Sequence, residues 1–186
     1  MRKLTSFLFI SLDGVVEAPN RFVRDDVFQD LLSLIGETIA EQDAVLLGRK
    51  MYDEWSVYWP ESKIEPFATF INNTPKYVVS RTLTTLGWRQ SNLLSGDLRD
   101  EIATLKNQTG KAIGVHGSIS LAQSLLVAGL LDELRFILFP AVAGQGRRLL
   151  SREGDSIQLN LQSARATPSG LQYLVFRPAV SHLNAA

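Results

Sequence analysis

Apolar and polar positions along this chain switch repeatedly between the period of a strand and the period of a helix. Leu4 to Ser11 is a compact apolar run and reads as an opening strand. From Asp25 onward, apolar residues recur at Val27, Phe28, Leu31, Leu32, Ile35 and Ile39, which is one face of a helix. Asp25 and Asp26 stand where aspartate caps and charges a helix start. Ala44 to Leu47 is wholly apolar, the pattern of a strand buried on both faces of a parallel sheet. Helical segments are expected from residue 49 to 55, over Glu65 to Asn72, over Leu98 to Lys106 and over Leu121 to Leu131. Short strands fit Lys76 to Val79, Ile113 to Val115 and Leu134 to Phe139. Ile157 to Ala166 and Gly170 to Arg177 read as a long hairpin around Pro168, Ser169 and Gly170. Strands alternating with helices, then a hairpin, predict an α/β fold: a mostly parallel sheet covered on both faces, with an antiparallel edge.

The 186 residues suit one domain, here 1–178, with AVSHLNAA at the end reading as a disordered tail over 179–186. Nineteen basic and nineteen acidic residues cancel. Such a chain carries no general electrostatic footprint for nucleic acid or for a membrane surface, so any anion site must be local. With no cysteine and only His116 and His182, no metal site is expected, and a cytoplasmic location fits. The opening MRKLTSFLFISLDG is read as a core strand rather than a leader, because its apolar part is short and runs into Asp13-Gly14.

Three strand ends carry candidate chemistry, since open α/β sheets bind ligands at the carboxyl ends of their strands. Gly48, Arg49 and Lys50 put two cations at a helix start, where they oppose the helix dipole; a bound anion explains that misfit, and a solvated surface pair is the alternative. Ser80, Arg81 and Thr82 put hydroxyls and a guanidinium just past a strand, either to grip a phosphate or to make an ordinary turn. Gly114, His116, Gly117, Ser118 and Ile119 lie between a strand and a helix, a setting that suits a pyrophosphate. Asp13, Asp25 and Asp26 are the candidate carboxylates for anchoring a heterocycle or relaying a proton, with capping as their alternative role. Phe22, Trp55, Tyr58 and Trp59 are candidate walls of the pocket, with plain core as their alternative role.

In order, LFISLDGVVEAPNRFVRDD, VLLGRKMYDEW, KYVVSRTL and IGVHGSISLAQSLLVAGLLDELRFILFPAVAGQGRRLL resemble the dihydrofolate reductase-like superfamily. The last segment is most similar to the reductase domain of bacterial riboflavin biosynthesis and its stand-alone relatives. The resemblance spans roughly residues 3 to 177 and implies a three-layer α/β/α fold with a sheet of about eight strands. It implies NADPH as hydride donor, a small pterin- or pyrimidine-like heterocycle as substrate, and a homodimer. In that family the elements matching Gly48, Arg49, Ser80, Arg81 and Thr82 hold the adenosine 2′-phosphate side. Those matching Gly114, His116, Gly117, Ser118 and Ile119 hold the pyrophosphate and approach the nicotinamide. Where dihydrofolate reductases carry Gly-Gly at this turn, the chain has His116-Gly117. Where the riboflavin-pathway reductase carries a T-x-x-x-D-x-P pattern, it has RKMYDEWSVYWP. Leu130 to Pro140 and the terminal hairpin are the segments expected to form a dimer interface. A relative that keeps the scaffold and binds a nucleotide without turnover is the alternative to an enzyme.

Overall fold

The computed structural model describes residues 1–149 and 156–179. The expected tail therefore lies outside the described residues, apart from Ala179. Eight strands form one sheet in the order β4-β3-β2-β5-β1-β6-β8-β7. The strands are β1 (Leu4–Ser11), β2 (Gln42–Gly48), β3 (Lys76–Val79), β4 (Ser91–Leu94), β5 (Ala112–His116), β6 (Glu133–Phe139), β7 (Leu159–Ala166) and β8 (Gln172–Pro178). The first six pair in parallel, whereas β8 runs antiparallel to both β6 and β7. Five helices cover the sheet: α1 (Phe28–Ala40), α2 (Arg49–Tyr58), α3 (Phe67–Asn73), α4 (Leu98–Asn107) and α5 (Ile119–Val127).

Strand alternation divides the core into two layers. In β2, Ala44 and Leu46 point toward α4 and α5, while Val45 and Leu47 point toward α1, α2 and α3. All four are essentially inaccessible, which is why the sequence there shows no polar face. The chain moves outward from β2 to β4, then returns to lay β5 between β2 and β1. That reversal leaves the carboxyl ends of β2 and β5 side by side, the position where such sheets bind ligands.

Several local expectations need correction. The short strand β4 was not legible, because SNLL offers only two apolar residues; it exists through its parallel register with β3. Asp25 and Asp26 begin a 3-10 turn rather than the α-helix, and neither side chain caps it. Val27 is the residue before α1, so the helix starts at Phe28, one residue after its apolar pattern begins. The last expected helix ends at Val127 instead of Leu131, with Gly129 at a φ of 67° turning the chain away. Leu130 to Pro140 cannot form a dimer interface as a whole. Its strand β6 sits between β1 and β8, and nearly all its side chains are buried. The outer hairpin strand β7, by contrast, is the sheet's edge and is exposed along almost its whole length.

Candidate active site

A cavity of about 890 Å³ opens where β2, β3 and β5 end, and Gly48, Val79 and His116 line it. Its floor includes Phe7 and Phe9 of β1. Two helix starts face it: Gly48–Met51 from α2 and Gly117–Leu121 from α5. The first amides of a helix have no partner within it, so both helix starts offer N–H groups and a positive dipole end to an anion. The two starts are tied together, because the Gly48 N–H donates to Ser118 Oγ at 3.0 Å. Gly48 also has the Ser118 and Leu121 side chains close behind its Cα, so the turns of β2 and β5 pack as one unit.

Three cations line this part of the cavity: Arg49, Lys50 and Arg147. Arg49 Nη1 donates to Thr82 Oγ1 at 2.7 Å, and its Nε donates to Asp53 Oδ2 at 2.8 Å. Thus the helix start after β2 and the turn after β3 converge on one guanidinium. Ser80 Oγ accepts from the amides of Thr82 and Leu83, which shapes that turn. Arg81 is exposed and does not line the cavity. Arg147 was not singled out from the sequence. It donates through Nη2 to Ser120 Oγ at 2.9 Å, on the first turn of α5. The only signal for it was the glycine-rich loop 141–146 immediately before it.

Gly114 and His116 play a structural part. An added Cβ on Gly114 would stand 2.6 Å from His116 Nε2 and closer still to Gln42 Oε1, so only glycine leaves room for this pair. His116 Nε2 and Gln42 Oε1 are 2.7 Å apart, and the His116 ring is enclosed by Phe7, Phe67 and Phe70. Burial holds His116 neutral, pushing its pKa down to about 3. At Gly117, a φ of 59° and a would-be Cβ contact of 2.9 Å with Met51 Cε explain the glycine. The His116–Gly117 peptide is trans; Glu65–Pro66 is the only cis bond among the described residues.

The candidate aromatic walls fall in different places. Trp55 and Trp59 line the cavity and meet edge to face at 5.6 Å. Phe22 lies behind the wall, in the core against Phe139, and does not reach the cavity. The sequence reading missed Phe7, Phe28, Ile64 and Phe67, which look like ordinary core residues until the fold brings them to one hollow.

None of the three candidate aspartates lines the cavity. Asp13 accepts from Ser11 Oγ and from the amides of Ala143 and Gly144 at 2.7–3.0 Å. It therefore clamps the loop after β6, and these bonds, led by the Ser11 hydroxyl, lower its pKa to about 2. Asp25 and Asp26 are exposed, and Asp26 pairs with Arg24. No cluster of His, Asp or Glu able to hold a metal ion occurs among the described residues. No helix among them is long and apolar enough to cross a membrane.

A three-layer α/β/α sheet with paired helix starts at its switch point defines a dihydrofolate reductase-like scaffold. Within that class the chain belongs to the RibD C-terminal domain family, whose model matches residues 2–173. It is 29% identical over 185 residues to the uncharacterized protein YyaP of Bacillus subtilis (strain 168), with 94% of each chain covered. Its fold resembles that of a putative riboflavin biosynthesis protein from Shewanella sp. PV-4, with a TM-score of 0.68 at 22% identity, covering 95% of this chain and 99% of that one. It also resembles dihydrofolate reductase from Enterococcus faecalis complexed with NADP(H), with a TM-score of 0.63 at 11% identity, covering 95% and 96% of the two chains.

Proposed function

We propose that the protein is an NADPH-dependent reductase that passes a hydride to a small planar acceptor. One observation carries this reading: two helix starts, joined through Gly48 and Ser118, face one cavity together with Arg49, Lys50 and Arg147. That is a site for a ligand with several phosphates. Arg49 would hold the 2′-phosphate, with Thr82 orienting the guanidinium and Ser80 shaping the turn beneath it. Among the described residues the Arg49 Nη2 has no side-chain or backbone acceptor, so it remains available for a second bond to that phosphate. Ser118, Ile119 and the first amides of α5 would take the pyrophosphate, supported by Arg147. When bound, NADPH supplies the hydride. The chain's own part is to position the acceptor and to exclude water, with Gly117 allowing the nicotinamide a close approach.

The resemblance adds the expectation of a pterin- or pyrimidine-like heterocycle as acceptor, and the aromatic walls fit a planar ring of that kind. A second reading, a nucleotide binder without turnover, is favoured by the position of Asp13, Asp25 and Asp26 outside the cavity. A calorimetric titration with NADPH, followed by a screen for NADPH oxidation, separates the two. Binding with turnover supports the reductase, binding alone supports the second reading, and no binding sinks both. We further propose a homodimer through the exposed face or edge of β7. Light scattering on the purified chain tests it, and a monomeric mass would refute it. NADPH use and the absence of cysteine suit a cytoplasmic enzyme.

A further inference from the structure

The charged residues that line the cavity lie on α2, on the segment after β1 and at Arg147, and none lies on α1. Among the described lining residues the acidic ones are Glu17 and Glu54. Glu17 Oε2 accepts from the Arg147 amide at 3.1 Å, and Glu54 lies 3.9 Å from Lys50 Nζ. Glu17 is thus tied to the Arg147 backbone, and Glu54 stands one helical turn after Lys50, next to Trp55. The α1 wall carries no charge. Helix α1 contributes Phe28, Leu31, Leu32 and Ile35, and it faces aromatic residues running from Trp55 to Phe67. His116, the one imidazole on the wall, is buried and hydrogen-bonded to Gln42. The apolar wall continues out to the surface. Phe28, Tyr58 and Ile64 are exposed by 43%, 53% and 37%, and together they rim the mouth. Large exposed side chains of this kind around a cavity mark a surface that meets apolar partners.

From this partition of charge we infer that the acceptor is an uncharged conjugated carbonyl compound, of the quinone or enone type, and not a pterin glutamate or a phosphoribosylated pyrimidine. The inference rests on the reductase reading and deepens it. A charged acceptor would bury its phosphate or carboxylate against α1 with no partner, which is strongly unfavourable. Reduction of a C=N bond in a pterin is assisted by an acid that protonates the ring nitrogen, and α1 brings no carboxylate to the cavity. A quinone accepts the hydride before any proton, because the hydroquinone anion that forms is stabilised by conjugation. It takes one hydride from NADPH and one proton from solvent, becoming the hydroquinone while NADPH becomes NADP+.

Menadione, dihydrofolate and the phosphoribosylated aminopyrimidine are the probes. Binding of each is followed by quenching of Trp55 and Trp59 fluorescence, and turnover by loss of the NADPH absorbance, with NADPH affinity measured separately by calorimetry. Saturable quenching by menadione and faster turnover with it than with either charged compound are the expected results. Replacing the half-exposed Phe28 (Phe28→Lys) places a charge at the mouth without disturbing the core. It is expected to raise the KM for menadione about tenfold while leaving NADPH affinity within about twofold. Faster turnover of dihydrofolate or of the pyrimidine overturns the inference and leaves the reductase reading intact. The inference fails equally if NADPH binds but menadione neither quenches nor reacts, or if Phe28→Lys leaves its KM unchanged. Absence of NADPH binding would overturn the reductase reading itself, and the reduction step with it.

Discussion

Replacing Arg49 with alanine should separate NADPH from NADH. The two cofactors differ by one phosphate on the adenosine ribose, and the guanidinium assigned to it is already oriented from two sides. Thr82 Oγ1 holds Nη1 at 2.7 Å and Asp53 Oδ2 holds Nε at 2.8 Å. The ion pair with Asp53 is half-exposed on both sides, so losing it costs the fold less than about 1 kcal/mol. Arg49→Ala should therefore fold normally. A hydrogen bond to a charged group contributes about 1.5–3 kcal/mol net, and one such bond to the phosphate, from Nη2, disappears. The expected loss of NADPH affinity is roughly 10- to 100-fold, at about 1.4 kcal/mol per factor of ten. NADH lacks the phosphate and should change by less than about threefold. Thr82→Val removes only the orienting hydroxyl and should cost NADPH about threefold to tenfold, in line with one neutral hydrogen bond. Titration calorimetry with both cofactors at matched ionic strength reads all of these values. An equal loss for NADPH and NADH would falsify the phosphate assignment, because it would mean that Arg49 contacts a group common to both.

Gly114→Ala should destabilise the fold by about 2–4 kcal/mol, combining overpacking with loss of the buried His116–Gln42 bond; an unchanged urea midpoint would show that Gln42 can move aside freely. Lys76 is fully buried, donates to Ile71 O and Thr74 O, and lies 4.5 Å from the Trp88 ring centre. Burial, helped by Arg89, pulls its pKa down from 10.5 to about 8. Between those values the unfolded chain binds the proton that the folded chain has released, so stability should rise with pH over that window; Lys76→Met should abolish the rise, as melting temperatures across the window would show. Asp13 titrates near 2 in the fold against an ordinary 3.8, so its contribution is complete above 3.8 and is lost as pH falls through about 2. Asp13→Asn should flatten that acid limb and speed amide exchange at Ala143 and Gly144, whose N–H groups it accepts from; unaltered exchange there would show that the loop holds itself.

The strands and helices were legible because their causes are local. Four consecutive apolar residues at 44–47 can only be satisfied by burial on both faces, and the stripe from Val27 to Ile39 can only be satisfied by a helix with one wet side. The helix starts at Gly48 and Ser118 were legible for the same reason, since glycine, hydroxyl and cation at a strand-to-helix turn act within a few residues of one another. The aspartates misled because a carboxylate's role depends on what faces it, and the partners of Asp13 lie some 130 residues away, at Ala143 and Gly144. Phe7, Phe28 and Phe67 were indistinguishable from core residues, because an aromatic side chain gives the same apolar signal whether it faces a neighbour or a cavity. The chain alone thus specified most of the elements and the candidate anion-binding turns. Sheet order decided the rest: laying β5 back between β2 and β1 joined two distant helix starts and brought them to the same cavity as the apolar face of α1.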